Sequence, residues 1–218
     1  MPPEARSGEA RMTLMRSQIR LLVDFLKNDL KKILLLTLIA SMVCIVIGFI
    51  LGLCLSDWSL DLMKSFSNNV KQTGVKLPDG SVSVTALMSH NWLVTLQMAG
   101  SGLVPFLFIP IAYLISNNVL IGAAAAIYVH FDLSPILFLA GIIPHGIFEI
   151  PALILSLSCG FYLCLNLCRI ILGSVNRIPF SEMLTNVLRA MLLLNAPLLV
   201  LAAIFETYIT PLVQALFQ

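Results

Sequence analysis

Ile33-Leu34-Leu35-Leu36-Thr37-Leu38-Ile39-Ala40-Ser41-Met42-Val43-Cys44-Ile45-Val46-Ile47-Gly48-Phe49-Ile50-Leu51-Gly52-Leu53-Cys54-Leu55 contains no charged side chain. A helix of roughly 20 such residues crosses a bilayer, and no soluble fold needs one this apolar. The composition around it agrees: 59% of the 218 residues are hydrophobic and 11% charged, with a mean hydropathy of +0.97. A soluble domain carries about 25% charged residues. The reading is an all-α, polytopic helical membrane protein with the lipid bilayer as its solvent. A net charge of +2 offers no surface for nucleic acid.

Working outward, residues 1–32 are polar and basic (Arg6, Arg11, Arg16, Arg20, Lys27, Lys31, Lys32). Between Ser17 and Leu30 the apolar residues Ile19, Leu22, Val23, Leu26 and Leu30 recur near helical spacing. Such a helix lies on the membrane surface or packs on the protein's own cytoplasmic face. The basic cluster places this N-terminal segment in the cytoplasm. Within the span, Gly48 and Gly52 form a GxxxG pattern for close helix packing, including the possibility of a dimer seam.

Residues 56–90 form an extracytoplasmic loop, opened by Asp57-Trp58, with an amphipathic stretch from Leu60 to Val70 and a turn at Lys76–Ser81. A second span is expected from Asn91 to Ile115, kinked by Gly100, Gly102, Pro105 and Pro110. Val119–Ile143 is apolar but interrupted at His130-Phe131-Asp132-Leu133-Ser134-Pro135, which reads as one broken crossing or a re-entrant hairpin. Gly146–Ile171 and about Ser181–Tyr208 complete the set, the last bent at Pro197. One crossing at 119–143 gives about five transmembrane helices with a broken third segment. It also leaves the Arg169–Arg177 loop in the cytoplasm and the C-terminus outside, as the positive-inside rule prefers. Residues 33–218 are thus one helical transmembrane domain. The five cysteines read as small apolar packing residues.

The chemistry concentrates in Pro144-His145-Gly146-Ile147-Phe148-Glu149-Ile150-Pro151. His145 and Glu149 are four residues apart and share a helical face; the prolines and Gly146 predict a broken helix just there. Three uses compete. The pair is a structural clasp whose hydrogen bonds fix a broken-helix junction. Alternatively it is a conduction site of the kind found at discontinuous helices. Catalysis is the third: a metal hydrolase needs ligands that a chain with only His90, His130 and His145 does not obviously supply. No catalytic residue, metal or cofactor is therefore expected. Supporting polar residues are Asn117, Asn118, His130, Asp132 and Arg189. Arg189 either snorkels to the cytoplasmic surface or pairs with an acid such as Glu149; His130 and Asp132 sit at the helix break and are candidates to line the cavity of His145.

The Pro144–Ala152 run resembles the signature of the stage II sporulation protein M family, as do Asn91, Gly100, Gly102, Asn117-Asn118 and Gly122 upstream. The resemblance covers roughly residues 30–210. It implies an integral membrane scaffold at the cell membrane, not an enzyme. In spore formers, the family member recruits and localises two cell-wall hydrolases during engulfment. For this chain the implied partners would dock on the extracytoplasmic loop, with a homo-oligomer or membrane complex expected. The alternative is a small ion or solute channel or transporter using the His145/Glu149 junction.

Overall fold

The computed structural model describes residues 3–72, 75, 82–175 and 178–217; of residues 3–10 and 69–72 only the backbone is described. The turn at Lys76–Ser81 and the Asn176–Arg177 step lie outside the described residues. The long apolar helices below follow from apolar runs punctuated by proline, glycine and serine. Among the described residues, the chain runs α1 (Pro3–Asp24), a π-helical turn (Phe25–Leu30), α2 (Lys31–Cys54), α3 (Ser56–Gln72) and α4 (Val84–Gly100). It continues through a short 3-10 turn (Ser101–Leu103), α5 (Ile109–His130), α6 (Pro135–Ile171) and α7 (Phe180–Ala190). A π-helical turn (Met191–Asn195), α8 (Ala196–Ile204), a second π-helical turn (Phe205–Ile209) and α9 (Thr210–Ala215) close it.

Among the described residues, four continuous helical stretches are long and apolar enough to cross a membrane: Arg11–Cys54, Ile109–His130, Pro135–Ile171 and Phe180–Ala215. In the first of them burial is inverted relative to a soluble protein. In α2 the buried residues are Thr37, Ser41, Gly48 and Gly52, whereas Leu36 and Ile50 are 66% and 53% exposed. Large apolar residues outward and small or polar ones inward is the pattern of a helix solvated by lipid.

The small residues of α2 meet those of α5. A Cβ added at Gly48 would lie 2.7 Å from Val119 Cα, one at Gly52 2.6 Å from Ala126 Cβ, and one at Gly122 2.6 Å from Phe49 N. Since 48 faces 119 and 52 faces 126, the two helices run in the same direction. The GxxxG pattern is thus spent on helix packing inside the chain, which leaves these glycines unavailable for a dimer seam.

Parallel α2 and α5 require the chain to return between them, and α4 does so. Leu87 packs with Val75 and Ala203, Met98 with Leu114 and Leu157, and a Cβ on Gly102 would lie 2.7 Å from Gly160 C. Here the second span departs from expectation. Asn91–Ile115 is not one kinked helix but the end of α4, a reversal over residues 101–108, and the start of α5. Pro105 and Pro110 lack the N–H groups a continuous helix would need. Phe106 and Phe108 adopt left-handed φ of 67° and 48°, strain on the order of 1–3 kcal/mol each. Packing against α6 holds the turn.

The third segment is corrected with it. Residues 119–130 are the second half of α5, and residues 135–143 the first turns of α6, so the break at 131–134 joins two full-length helices. It is a Schellman-type stop: Leu133 N–H donates to Tyr128 O at 2.8 Å, and Asp132 takes a φ of 52°, a conformation acidic and amide side chains tolerate. Ser134 then caps α6, accepting from Ile136 N at 3.3 Å, with Pro135 at the first helical position. Gly173 repeats the stop at the far end, with φ 71° and Ser174 N–H donating to Arg169 O at 3.0 Å.

The central helix α6 is 37 residues long and unbroken through Pro144, Gly146 and Pro151. The broken-helix junction expected at the octapeptide is absent. A proline frees one carbonyl and bends a helix but need not end it when neighbours hold both flanks. Those neighbours are α4, α5 and the α7–α9 stretch. The last of these absorbs its own prolines differently: a π-helical turn precedes each of Pro197 and Pro211, spacing the backbone where a proline removes a donor.

The N-terminal segment does not stand apart. α1 continues through the π-helical turn into α2 and packs on the bundle. Leu22, Phe25 and Leu30 are buried with Tyr162, Met183 and Val187, and the Phe25 and Tyr162 rings meet edge-on at 5.1 Å.

Candidate functional site

Helical spacing puts His145 and Glu149 on one face of α6, as their four-residue separation requires. His145 Nε2 lies 3.7 Å from Glu149 Oε2, with the two side chains 16% and 24% exposed. The last helix supplies the rest. Its π-helical turn presents Glu206, and one donor atom each of His145, Glu149 and Glu206 fall within 4.8 Å of one another. The Phe148 and Phe205 rings pack beside them at a tilt of 58°, centroids 4.8 Å apart, holding α6 against that turn.

His145 is oriented from behind. Its Nδ1 is 3.3 Å from Thr210 Oγ1, and that hydroxyl donates to Phe205 O at 3.1 Å. With its proton donated to Phe205 O, the hydroxyl oxygen is free to accept from Nδ1–H. In that tautomer of the neutral ring the Nε2 lone pair faces Glu149.

These groups line a cavity of about 490 Å³ that also touches His90, Asn91 and Asn117. Phe66 of α3 and Val75 form part of its wall. Asn117 Nδ2 donates to Tyr113 O at 3.0 Å, and Asn118 Nδ2 to Leu114 O at 2.7 Å; both amides satisfy their own helix. Asn91 is different. It is 9% exposed, and its Nδ2 has no hydrogen-bond partner among the described residues.

The other polar candidates lie elsewhere. His130 and Asp132 are exposed at the α5–α6 turn and do not line this cavity. Arg189 Nε donates to Gln18 Oε1 at 2.8 Å and its Nη1 to Asn186 Oδ1 at 2.6 Å, tying α7 to α1, so the pairing with Glu149 is corrected. The residues not anticipated are Glu206 and Thr210. A usable signal existed: Glu206 is the lone carboxylate between Ala196 and Phe217, and a charge in an apolar helix faces the bundle interior.

No curated protein and no solved structure matches this chain. The family model for stage II sporulation protein M matches residues 36–211, from the first turns of α2 to the start of α9. That span holds Asn91, His145, Glu149, Glu206 and Thr210, every residue gathered at the cavity. The chain belongs to the stage II sporulation protein M family.

Proposed function

We propose that this chain is a non-enzymatic integral membrane scaffold that positions partner proteins on the side of the membrane where α3 lies. Family membership over residues 36–211 is the observation that carries the reading. The amphipathic α3 supports it, because it displays a charged face to solvent: Lys64 Nζ and Asp61 Oδ1 are 3.2 Å apart with side chains 71% and 76% exposed. In this reading the N-terminus is cytoplasmic, as its basic cluster favours, and α3 and the C-terminus are outside. In such an arrangement the partners are extracytoplasmic proteins, in spore-forming relatives cell-wall hydrolases. Replacing Asp61 and Lys64 together by Ala should lower co-purification of partners with the folded chain. An exposed pair contributes about 0–1 kcal/mol, so the fold should hold. Undiminished partner recovery from an α3 so altered would refute docking there.

The cavity favours a second reading, a small channel or transporter. Buried ionisable groups converging between helices are the usual mark of an ion path. Liposomes containing the purified chain separate the two readings: a scaffold gives no proton or cation flux, whereas a channel gives flux that Glu149→Gln abolishes.

A further inference from the structure

We infer that His145, Glu149 and Glu206 bind a divalent first-row transition-metal ion, with Thr210 and Asn91 behind them. The inference is independent of whether partners dock or ions pass.

His145 Nε2 and Glu149 Oε2 face each other 3.7 Å apart, and the tautomer in which Thr210 accepts from Nδ1–H leaves the Nε2 lone pair on that side. Direct hydrogen bonds span about 2.7–3.2 Å. The gap is too wide for one, and suits an ion bound to both. With metal bonds of about 2.0–2.2 Å to imidazole and carboxylate, neighbouring donors stand about 3–4 Å apart. The three donor atoms, all within 4.8 Å, need only a sub-ångström closing.

Charge gives the second argument. A proton on Nε2 would satisfy one carboxylate and leave Glu206 against Glu149. A divalent ion balances both carboxylates while the imidazole stays neutral, which is the state that ligates. Imidazole among the donors selects transition ions over magnesium and calcium, which prefer oxygen throughout.

The third observation is Asn91, nine-tenths buried at the cavity wall, its Nδ2 without a partner among the described residues. A buried amide without a partner costs about 1–3 kcal/mol. A water bound to the metal supplies the missing partner, and the amide then positions that water. The Nδ1–Thr210 contact is the outer-shell support that metal-ligating histidines need.

Mn2+ is the probe, because the five cysteines would bind zinc unspecifically and manganese prefers nitrogen and oxygen. Untagged protein in detergent, stripped with chelator, is titrated with Mn2+ and followed by electron paramagnetic resonance, then challenged with Zn2+. The expected result is one Mn2+ per chain, displaced by Zn2+. Affinity should fall at least about tenfold in Glu149→Gln and in Glu206→Gln, and about tenfold in Thr210→Val, the lower end of outer-shell effects. Glu182→Gln, on α7 and outside the cavity, should bind as wild type. Absence of saturable binding by the folded wild type overturns the inference, as does unchanged affinity in either Gln variant. Should those two variants fail to elute as a single species, Thr210→Val decides, and unchanged affinity there overturns it.

Discussion

Glycines separate sharply by what surrounds them. Gly100 ends α4 with nothing within 4 Å of an added Cβ and an ordinary helical φ of −67°. Gly100→Ala should stabilise by about 0.5–1 kcal/mol, since alanine loses less backbone freedom on folding. Gly122→Ala should do the reverse, because its Cβ would press on Phe49 N at 2.6 Å and force α2 and α5 apart. Thermal denaturation in detergent should raise the melting temperature of the first and lower that of the second. Thr210 allows a subtler test of the hydrogen-bond chain. Thr210→Val keeps the shape and removes one donor and one acceptor, costing about 0.5–1.5 kcal/mol for each bond lost. A Thr210→Ser variant should restore most of the stability, as its hydroxyl can make both bonds.

At the scale of the element, α1 illustrates what helical periodicity can and cannot tell. Leu22, Leu26 and Leu30 were legible as an apolar face, but a membrane surface and a protein surface select the same face. Tertiary contact decides: Phe25 is 2% exposed against Tyr162, so that face is packed on the bundle. Phe25→Ala should cost about 3–5 kcal/mol where it is fully packed and loosen α1. Limited proteolysis should then cut α1 sooner while the α6 region stays protected. The octapeptide carries a related lesson. Two prolines in apolar sequence suggested a break, yet whether a helix stops depends on its neighbours. Real stops occur where a left-handed residue follows the helix, at Asp132 and Gly173.

Across the whole molecule, composition made the helical membrane class legible, because a bilayer demands long apolar helices and little else meets that demand. Pairing was not legible. The run from Asn91 to Ile115 has the hydropathy of a span, and hydropathy does not record a reversal of direction. The parallel course of α2 and α5 does, and it makes a prediction. The segment after α2 and the turn at 131–134 belong on one side of the membrane, and the α6–α7 turn on the other. In a cysteine-free background with the N-terminus in the cytoplasm, Asp61→Cys and Asp132→Cys should react with a membrane-impermeant thiol reagent in intact cells. Ser174→Cys should react only after permeabilisation. Labelling of Ser174→Cys together with Asp132→Cys in intact cells would contradict this arrangement. The candidate site shows the same division: His145 and Glu149 were visible through their local spacing, whereas Glu206 lies 57 residues beyond Glu149 and reaches it only through the fold.

That separation along the chain has a consequence for biosynthesis. A ribosome delivers His145 and Glu149 to the membrane well before it makes Glu206 and Thr210. During that interval α6 is present without the helix that orients its imidazole and completes its cluster. The nascent polar face therefore depends on lipid headgroups, water or the insertion machinery for company. Arrival of the α7–α9 stretch is then the step that closes the molecule, and a chain stalled before Phe205 presents quality-control factors with an unclaimed histidine and carboxylate inside the bilayer.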